Sequence, residues 1–491
     1  MVFGKNVNRY YLKYAPMLLL GIAALFLVDF MQLKSPEIYS SVINALNGEI
    51  PGFDMDYLLM EVCLPLLVIV LTLVFGRFLW RICFFGTAIR IESDIRSRMF
   101  DHCKDLSLQY YQVNKVGNLM SLFTNDLETI QDCFGGGILQ FFDALLLGCM
   151  ALFKMFRMNW LLSLFSLAPM VVLFLCGKII MKYMMTKWDE RQAAFSRLSD
   201  FSQESFTGIA VIKAFVKEGR ELLAFRKLNR ENESANVTFV RYSSLLNVGV
   251  TFFVGLVIAI ILGYGGYLVY DGVFNAGELL EFVSYFTAIV WPVMAVTELL
   301  EMTSRGRASV KRIDELLDAE IDVKDREGVT EGDPLIGGIE FRNLTFRYPG
   351  ASYDALEDVS FRIEAGENIG VIGKTGAGKT TLVDLILRMY NVPDGTIFLD
   401  GRDINSIPIK SVRSYASYVP QDNFLFSDTI TSNIGFASDG YTEEDVARVA
   451  ALADLDENVH ELPDGYGTLL GERGVTVSGG QKQRISIARA L

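Results

Sequence analysis

ENIGVIGKTGAGKTTLVDLILRMY occupies residues 367–390. It reads as three pieces in order: an apolar run with strand character, a glycine-rich loop, and a segment with an apolar stripe at helical spacing. Strand, loop ending in Gly-Lys-Thr, then helix is the context of a phosphate-binding loop. Glycine lets the backbone approach a ligand that side chains would hold off. The N–H groups of Gly376, Ala377, Gly378, Lys379 and Thr380 then point outward at a helix N-terminus, where the helix dipole also favours an anion. Lys379 is placed to reach the β- and γ-phosphates of a nucleotide, and Thr380 to ligate Mg²⁺. Gly373, Lys374, Thr375 and Thr381 complete the candidate nucleotide-binding stretch. A glycine-rich turn without a ligand is the alternative, and the flanking strand and helix argue against it.

Working outward, residues 477–491 read VSGGQKQRISIARAL. Gly479 and Gly480 expose backbone N–H groups at a helix start, and Ser478 is a good cap. This is a second anion site, without a lysine. On the other side of the loop, IEFRNLTFRY (339–348) and DVSFRIEAG (358–366) alternate as strands. Before them, residues 301–323 read as a charged amphipathic helix and residues 324–338 as a linker rich in glycine and charge. Domain boundaries are therefore expected at 1–320, 321–338 and 339–491.

The first half is of a different kind. The chain has 491 residues, of which 51% are hydrophobic, and its mean hydropathy is +0.30. Soluble domains rarely score so high. Six apolar stretches, near 15–33, 61–85, 137–156, 159–181, 245–270 and 279–300, are each long enough to span a bilayer with about 20 residues. Pro65, Pro169 and Pro292 inside them are tolerated in membrane helices. The N-terminal stretch lacks a small-residue cleavage pattern, so it reads as a retained first span rather than a signal peptide.

Basic residues set the orientation. Lys5, Arg9 and Lys13 precede the first span and stay inside, as do the basic stretches 86–136 and 183–243. Segments 34–56 and 271–278 are acidic and outside. The turn at 154–160 must then be outside although it carries Lys154 and Arg157, a local breach of the rule. The long inner stretches have helical periodicity, so the spans should continue into the cytoplasm. Turns are expected in 110–130 and 203–221, with Gly117 and Gly208 as breakers.

The net charge is −13, which argues against a nucleic-acid partner. Six cysteines all lie in or beside apolar stretches, and they read as small buried hydrophobes. His102 and His460 are too few and too scattered for a metal site.

The motifs resemble those of ATP-binding cassette (ABC) exporters over almost the whole chain. The fold so implied is a membrane all-α six-helix domain followed by an α/β P-loop NTPase cassette. By this resemblance Gly373 to Thr380 is the Walker A motif, Tyr348 stacks on adenine, and Gln421 contacts Mg²⁺ and water. The segment GERG (471–474) contacts the inner turns of the membrane domain. Ser478, Gly479, Gly480 and Gln481 form the signature, with Val477 where leucine is usual, a packing position. The signature acts on the ATP of a partner subunit, so the resemblance implies a dimer of half-transporters, homo- or heteromeric. It also implies a multi-pass bacterial plasma-membrane protein with a cytoplasmic N-terminus and cassette, exporting amphipathic small molecules or lipids.

The family continues past IARAL to an Asp for Mg²⁺, a Glu as general base and a later His, and these Walker B and switch residues have no counterpart in the 491 residues. The chain is therefore expected to be truncated, binding nucleotide weakly and hydrolysing little. Two other readings stay open: a catalytically degenerate subunit of a heterodimer, and a membrane-anchored ATPase or sensor. For the substrate, Asp29, Glu61, Asp143 and Glu281 could face a polar cavity and favour cations, or be solvated or paired with neighbours. Phe252, Phe253, Phe282, Phe286 and Trp291 could line an apolar site or serve packing and lipid contact.

Overall fold

A computed structural model of the chain describes residues 4–48, 54–330, 332–438, 440–471 and 477–491. The chain forms two compact units. One comprises Met1–Asp101 with Leu119–Asp318, and the other His102–Asn118 with Ala319–Leu491.

Among the described residues of the first unit, six helical stretches are long and apolar enough to cross a membrane: Ala15–Leu46, Met55–Asp105, Val116–Met158, Trp160–Thr207, Glu218–Tyr270 and Ala276–Leu317. The longest has 53 residues. At ~1.5 Å per residue it is well over twice the ~30 Å of a hydrocarbon core. The six expected spans are therefore present, and they do extend far beyond a bilayer. Pro169 and Pro292 lie inside continuous helices. Gly208 ends a helix as expected. Gly117 does not, because it lies within the short helix Val116–Ser121. The chain instead breaks at Asn114, whose backbone is extended.

The core of this unit gathers Leu147, Met155, Leu162, Ile261, Phe282 and Phe286 from four different spans. Phe282 and Phe286 are thus packing residues, whereas Phe252 and Trp291 are exposed. Of the cysteines, Cys83 and Cys133 are buried, but Cys63, Cys149 and Cys176 are exposed. The buried reading fails for those three because one face of a membrane helix need not meet protein.

The breach at Lys154 has a structural answer. Its ammonium pairs with Glu37 and donates to Tyr285 Oη at 3.2 Å. Tyr285 in turn donates to Glu281 at 2.7 Å. An ion-paired lysine is a weaker orientation signal than a free one. Nearby, the last span starts with a capping box between Asn275 and Glu278. Gly277 donates its N–H to Asn44 Oδ1 at 2.9 Å. A Cβ on Gly277 would meet Ser40 O at 2.3 Å, so this approach requires glycine.

The second unit holds a four-stranded antiparallel sheet of β1 (Ile339–Phe346), β2 (Leu356–Ile363), β3 (Ile397–Leu399) and β4 (Arg402–Asp403), in the order β2-β1-β3-β4. In β1, Ile339 pairs with both Ile363 and Leu399. The alternation read from residues 339 and 358 onward is realised there.

ENIGVIG is not. Residues 367–373 and 416–421 join no sheet among the described residues, and Ile369, Val371 and Ile372 are exposed. The first run has the apolar character of an interior parallel strand, which needs hydrogen-bonded neighbours on both sides. Without such neighbours an apolar run forms no ladder.

Two cores organise the second unit. One joins the sheet to the helix after the loop, through Phe341, Leu344, Ile397, Leu399 and Leu385. The other is helical, with Leu425, Ile430, Val446, Ala450, Val477 and Ile485.

Candidate functional site

The phosphate loop is built on the first of these cores. The helix Lys379–Ile386 begins directly after Gly378, whose φ is +80°. That left-handed value favours glycine. A Cβ on Gly378 would also meet Ala355 O and Leu356 Cδ2, each at 2.7 Å. The loop therefore closes against the start of β2 because the side chain is absent.

Lys379 folds back over the loop, donating to Gly373 O at 2.8 Å and Lys374 O at 2.9 Å. Lys374, Thr375, Gly376 and Ala377 are exposed, and Thr380 lies in the first turn of the helix. An exposed glycine-rich loop, a helix start without a side-chain cap and one lysine suit the phosphates of ATP, so the residues present fit the group.

Thr381 is buried and makes a hydrogen bond with the Tyr348 hydroxyl at 2.9 Å. The Tyr348 ring meets Phe346 and Tyr390 edge-on, each at 5.1 Å between centroids. The structure thus brings Tyr348 to the phosphate-loop helix although 33 residues separate it from Thr381. Burial pushes the Asp384 carboxyl, in the same helix, above the usual carboxylate range.

Gln421 is exposed and lies on an irregular segment. The chain that follows it enters the helical core, where the signature also sits. Ser478 caps the helix Gly479–Ala490, accepting from Gln481 N at 3.2 Å and donating its own N–H to Gln481 Oε1 at 2.8 Å. Gly479 and Gly480 are exposed with open space above them. Val477 is buried in the core, in keeping with a packing role. Arg489 fixes the far end of this helix, donating to Asn433 O at 2.8 Å and Phe424 O at 3.0 Å. In GERG, residues 472–474 lie outside the described residues.

Sequence reasoning missed how the segment His102–Asn118 packs with the cassette. His102 Nε2 lies 3.0 Å from Ala319 O. The short helix Leu108–Val113 borders a cleft of about 690 Å³ lined by Ser107, Leu108, Asp325, Met389, Ile409 and Arg413. Arg388, buried, donates to Asp325 Oδ1 at 3.1 Å and to Ile407 O at 3.1 Å. Asp325 also accepts from Ile409 N at 2.9 Å. Burial lowers the Arg388 pKa below the usual arginine value. An arginine in an apolar helix stripe was the available signal, but nothing local names Asp325 as its partner.

A six-span helical unit followed by a phosphate-loop domain with a second, serine-capped helix defines a membrane transporter powered by nucleotide. The family model described as "ABC transporter transmembrane region" matches residues 18–293, and the one described as "ABC transporter" matches residues 356–491. The chain belongs to the ABC transporter family. It is 33% identical to the "Probable multidrug resistance ABC transporter ATP-binding/permease protein YheI" of Bacillus subtilis, over 99% of this chain and 82% of the relative. It is 33% identical to the "Multidrug resistance-like ATP-binding protein MdlA" of Escherichia coli, over 96% of this chain and 79% of the relative. In fold it is similar to a bacterial Atm1-family ABC exporter solved with ATP bound, with a TM-score of 0.72 at 23% identity, over 99% of this chain and 84% of that one.

Proposed function

We propose that the chain is one half of a dimeric exporter that moves amphipathic small molecules or lipids out of the cell at the expense of ATP. The observation that carries this reading is the joining of six spans and a fitted phosphate loop on one chain. The inner segment His102–Asn118 packing within the cassette unit supports it further. Relatives named for multidrug resistance favour the substrate class.

In this reading the N–H groups of Gly376 to Thr380 and the Lys379 ammonium bind the phosphates. Thr380 and Gln421 hold Mg²⁺, and Tyr348 meets the adenine. Mg-ATP, when bound, supplies the driving free energy. Lys379 would leave the carbonyls of Gly373 and Lys374 to meet the phosphates. Ser478, Gly479, Gly480 and Gln481 face the nucleotide of the second subunit, so closure requires two chains. Closure reaches the spans through the Leu108–Val113 turn, shifting them between inward- and outward-open states by differential affinity. Domain limits of 1–320 and 339–491, with the N-terminus and cassette in the cytoplasm of a bacterial cell, complete the reading.

The test is energy-dependent efflux of an amphipathic dye from cells carrying the gene. Efflux that Lys379→Met abolishes is the expected result. Equal dye retention with and without the gene would overturn it.

A further inference from the structure

Within the membrane unit a cavity of about 840 Å³ is lined from the first, second, third and sixth spans by Asp29, Trp80, Asp143 and Trp291 among others. Asp29 is 2% exposed. Its Oδ2 is buried, and among the described residues no N–H or O–H donates to it. The indole N–H of Trp80, which also lines the cavity, is likewise buried without an acceptor. The carboxyls of Asp29 and Asp143 lie within hydrogen-bonding reach of each other.

Two carboxylates so close in a low-dielectric setting repel, and one proton shared between them leaves a single negative charge. A buried carboxyl oxygen without a protein donor is costly in a membrane domain and marks a functional position. The other charged groups around the cavity are Arg77 and Arg81. Among the described residues neither forms an ion pair with the two acids. Both are exposed, and Arg77 donates to Gln32 at 3.3 Å while the Arg81 guanidinium lies 5.5 Å from the Trp80 ring centre. Arg77 acts on both acids only at a distance, without a direct bond, so they stay open to a donor from outside the protein. Trp80, Trp291 and Tyr39 supply aromatic walls that suit an apolar body carrying a positive charge.

We propose that this cavity binds the ammonium group of a cationic amphiphile, which takes the place of the proton shared by Asp29 and Asp143 while the aromatic side chains hold its apolar part. The ammonium N–H groups bond to the two carboxylates, and the displaced proton leaves to water. This narrows the substrate class of the exporter reading and rests on it.

The test uses the full chain in lipid nanodiscs with dansylcadaverine, a fluorescent primary amine, and its N-acetylated neutral form. The wild type should bind the amine ~10-fold more tightly than the neutral form, with one proton released per amine. Asp143→Asn places an amide N–H beside Asp29, so it satisfies the buried oxygen and preserves the fold. It should abolish the preference and leave binding of the neutral form intact, and Asp29→Asn should do the same. Retention of the preference in both variants would overturn the assignment. Equal binding of the two probes by the wild type overturns it while leaving the exporter reading in place. No binding of either probe overturns both.

Discussion

Ser309 donates its hydroxyl to Asp126 Oδ1 at 2.6 Å, joining residues 183 positions apart. Arg312, one turn further along the last span, also donates to Asp126, which is 5% exposed. Asp126 sits in a one-turn π-helical segment, Leu122–Asp126, of the third span. Such segments often re-aim a side chain at a functional position. The third and sixth spans are thereby locked at one level.

Asp126→Ala should therefore destabilise the membrane unit by about 1.5–3 kcal/mol, the cost of charged hydrogen bonds. Ser309→Ala should cost about 1 kcal/mol. Thermal unfolding followed by thiol labelling of Cys133, itself buried, reads both. Equal melting of Asp126→Ala and wild type would show that the lock contributes nothing.

Gly378→Ala and Gly376→Ala should behave differently. Both glycines have positive φ, +80° and +83°, but only at Gly378 would a Cβ strike backbone, at 2.7 Å from Ala355 O. Gly376→Ala carries the left-handed cost of about 1–2 kcal/mol. Gly378→Ala must also shift the loop, and it should lose more than ~10-fold in binding of a fluorescent ATP analogue. Equal losses for the two would contradict the geometry.

Asp325→Ala should leave the buried Arg388 guanidinium without its carboxylate. Breaking a fully buried pair costs about 3–5 kcal/mol. The Asp325 side chain is 39% exposed, so screening reduces the expectation to about 2 kcal/mol. Limited proteolysis within 319–338 should accelerate in this variant.

Ser478→Ala removes the side-chain half of the capping box on the Gly479–Ala490 helix and leaves the backbone N–H of residue 478 on Gln481. Loss of such a cap costs about 1 kcal/mol. Amide hydrogen exchange at residues 479–482 should rise while that of the Lys379–Ile386 helix is unchanged. Uniform exchange changes across both helices would assign Ser478 a wider role.

Asp394 accepts from Arg326 at 3.0 and 2.7 Å and from Asn405 at 2.8 Å. The Arg326 hydrogen bond, then that from Asn405, hold its carboxyl below the usual carboxylate range. A depressed carboxylate stabilises the fold above its unfolded pKa of about 3.9, and the gain disappears as pH falls through the lower folded value. Cleavage near Arg326 should therefore be flat above about pH 5 and quicken below about pH 4. Asp394→Asn should flatten that response.

Much was legible before folding was considered. The spans follow from apolar length alone, since only a helix satisfies its backbone inside a bilayer. The Gly373–Thr380 loop and the Ser478 cap follow from local chemistry, because glycine dihedrals and capping bonds involve residues two to four apart. The breaker at Gly117 was misread because Asn114, three residues earlier, takes the extended conformation. The strand expected over 367–373 failed for a different reason. A parallel strand is a property of its neighbours, and an apolar run specifies only that it wants some.

By itself the sequence determined which segments are helical and apolar, where a glycine-rich loop opens a helix, and that Ser478 caps the helix after it in the chain. Each depends on forces acting within a turn or two of chain. Only the tertiary structure decided that Lys154 finds Glu37, that Asp126 meets Ser309 and Arg312, and that Asp29 meets Asp143 beside a cavity. These are pairings of polar groups over more than a hundred residues. The cost of burying a lone charge makes a partner necessary, but the packing of whole helices selects which partner it is.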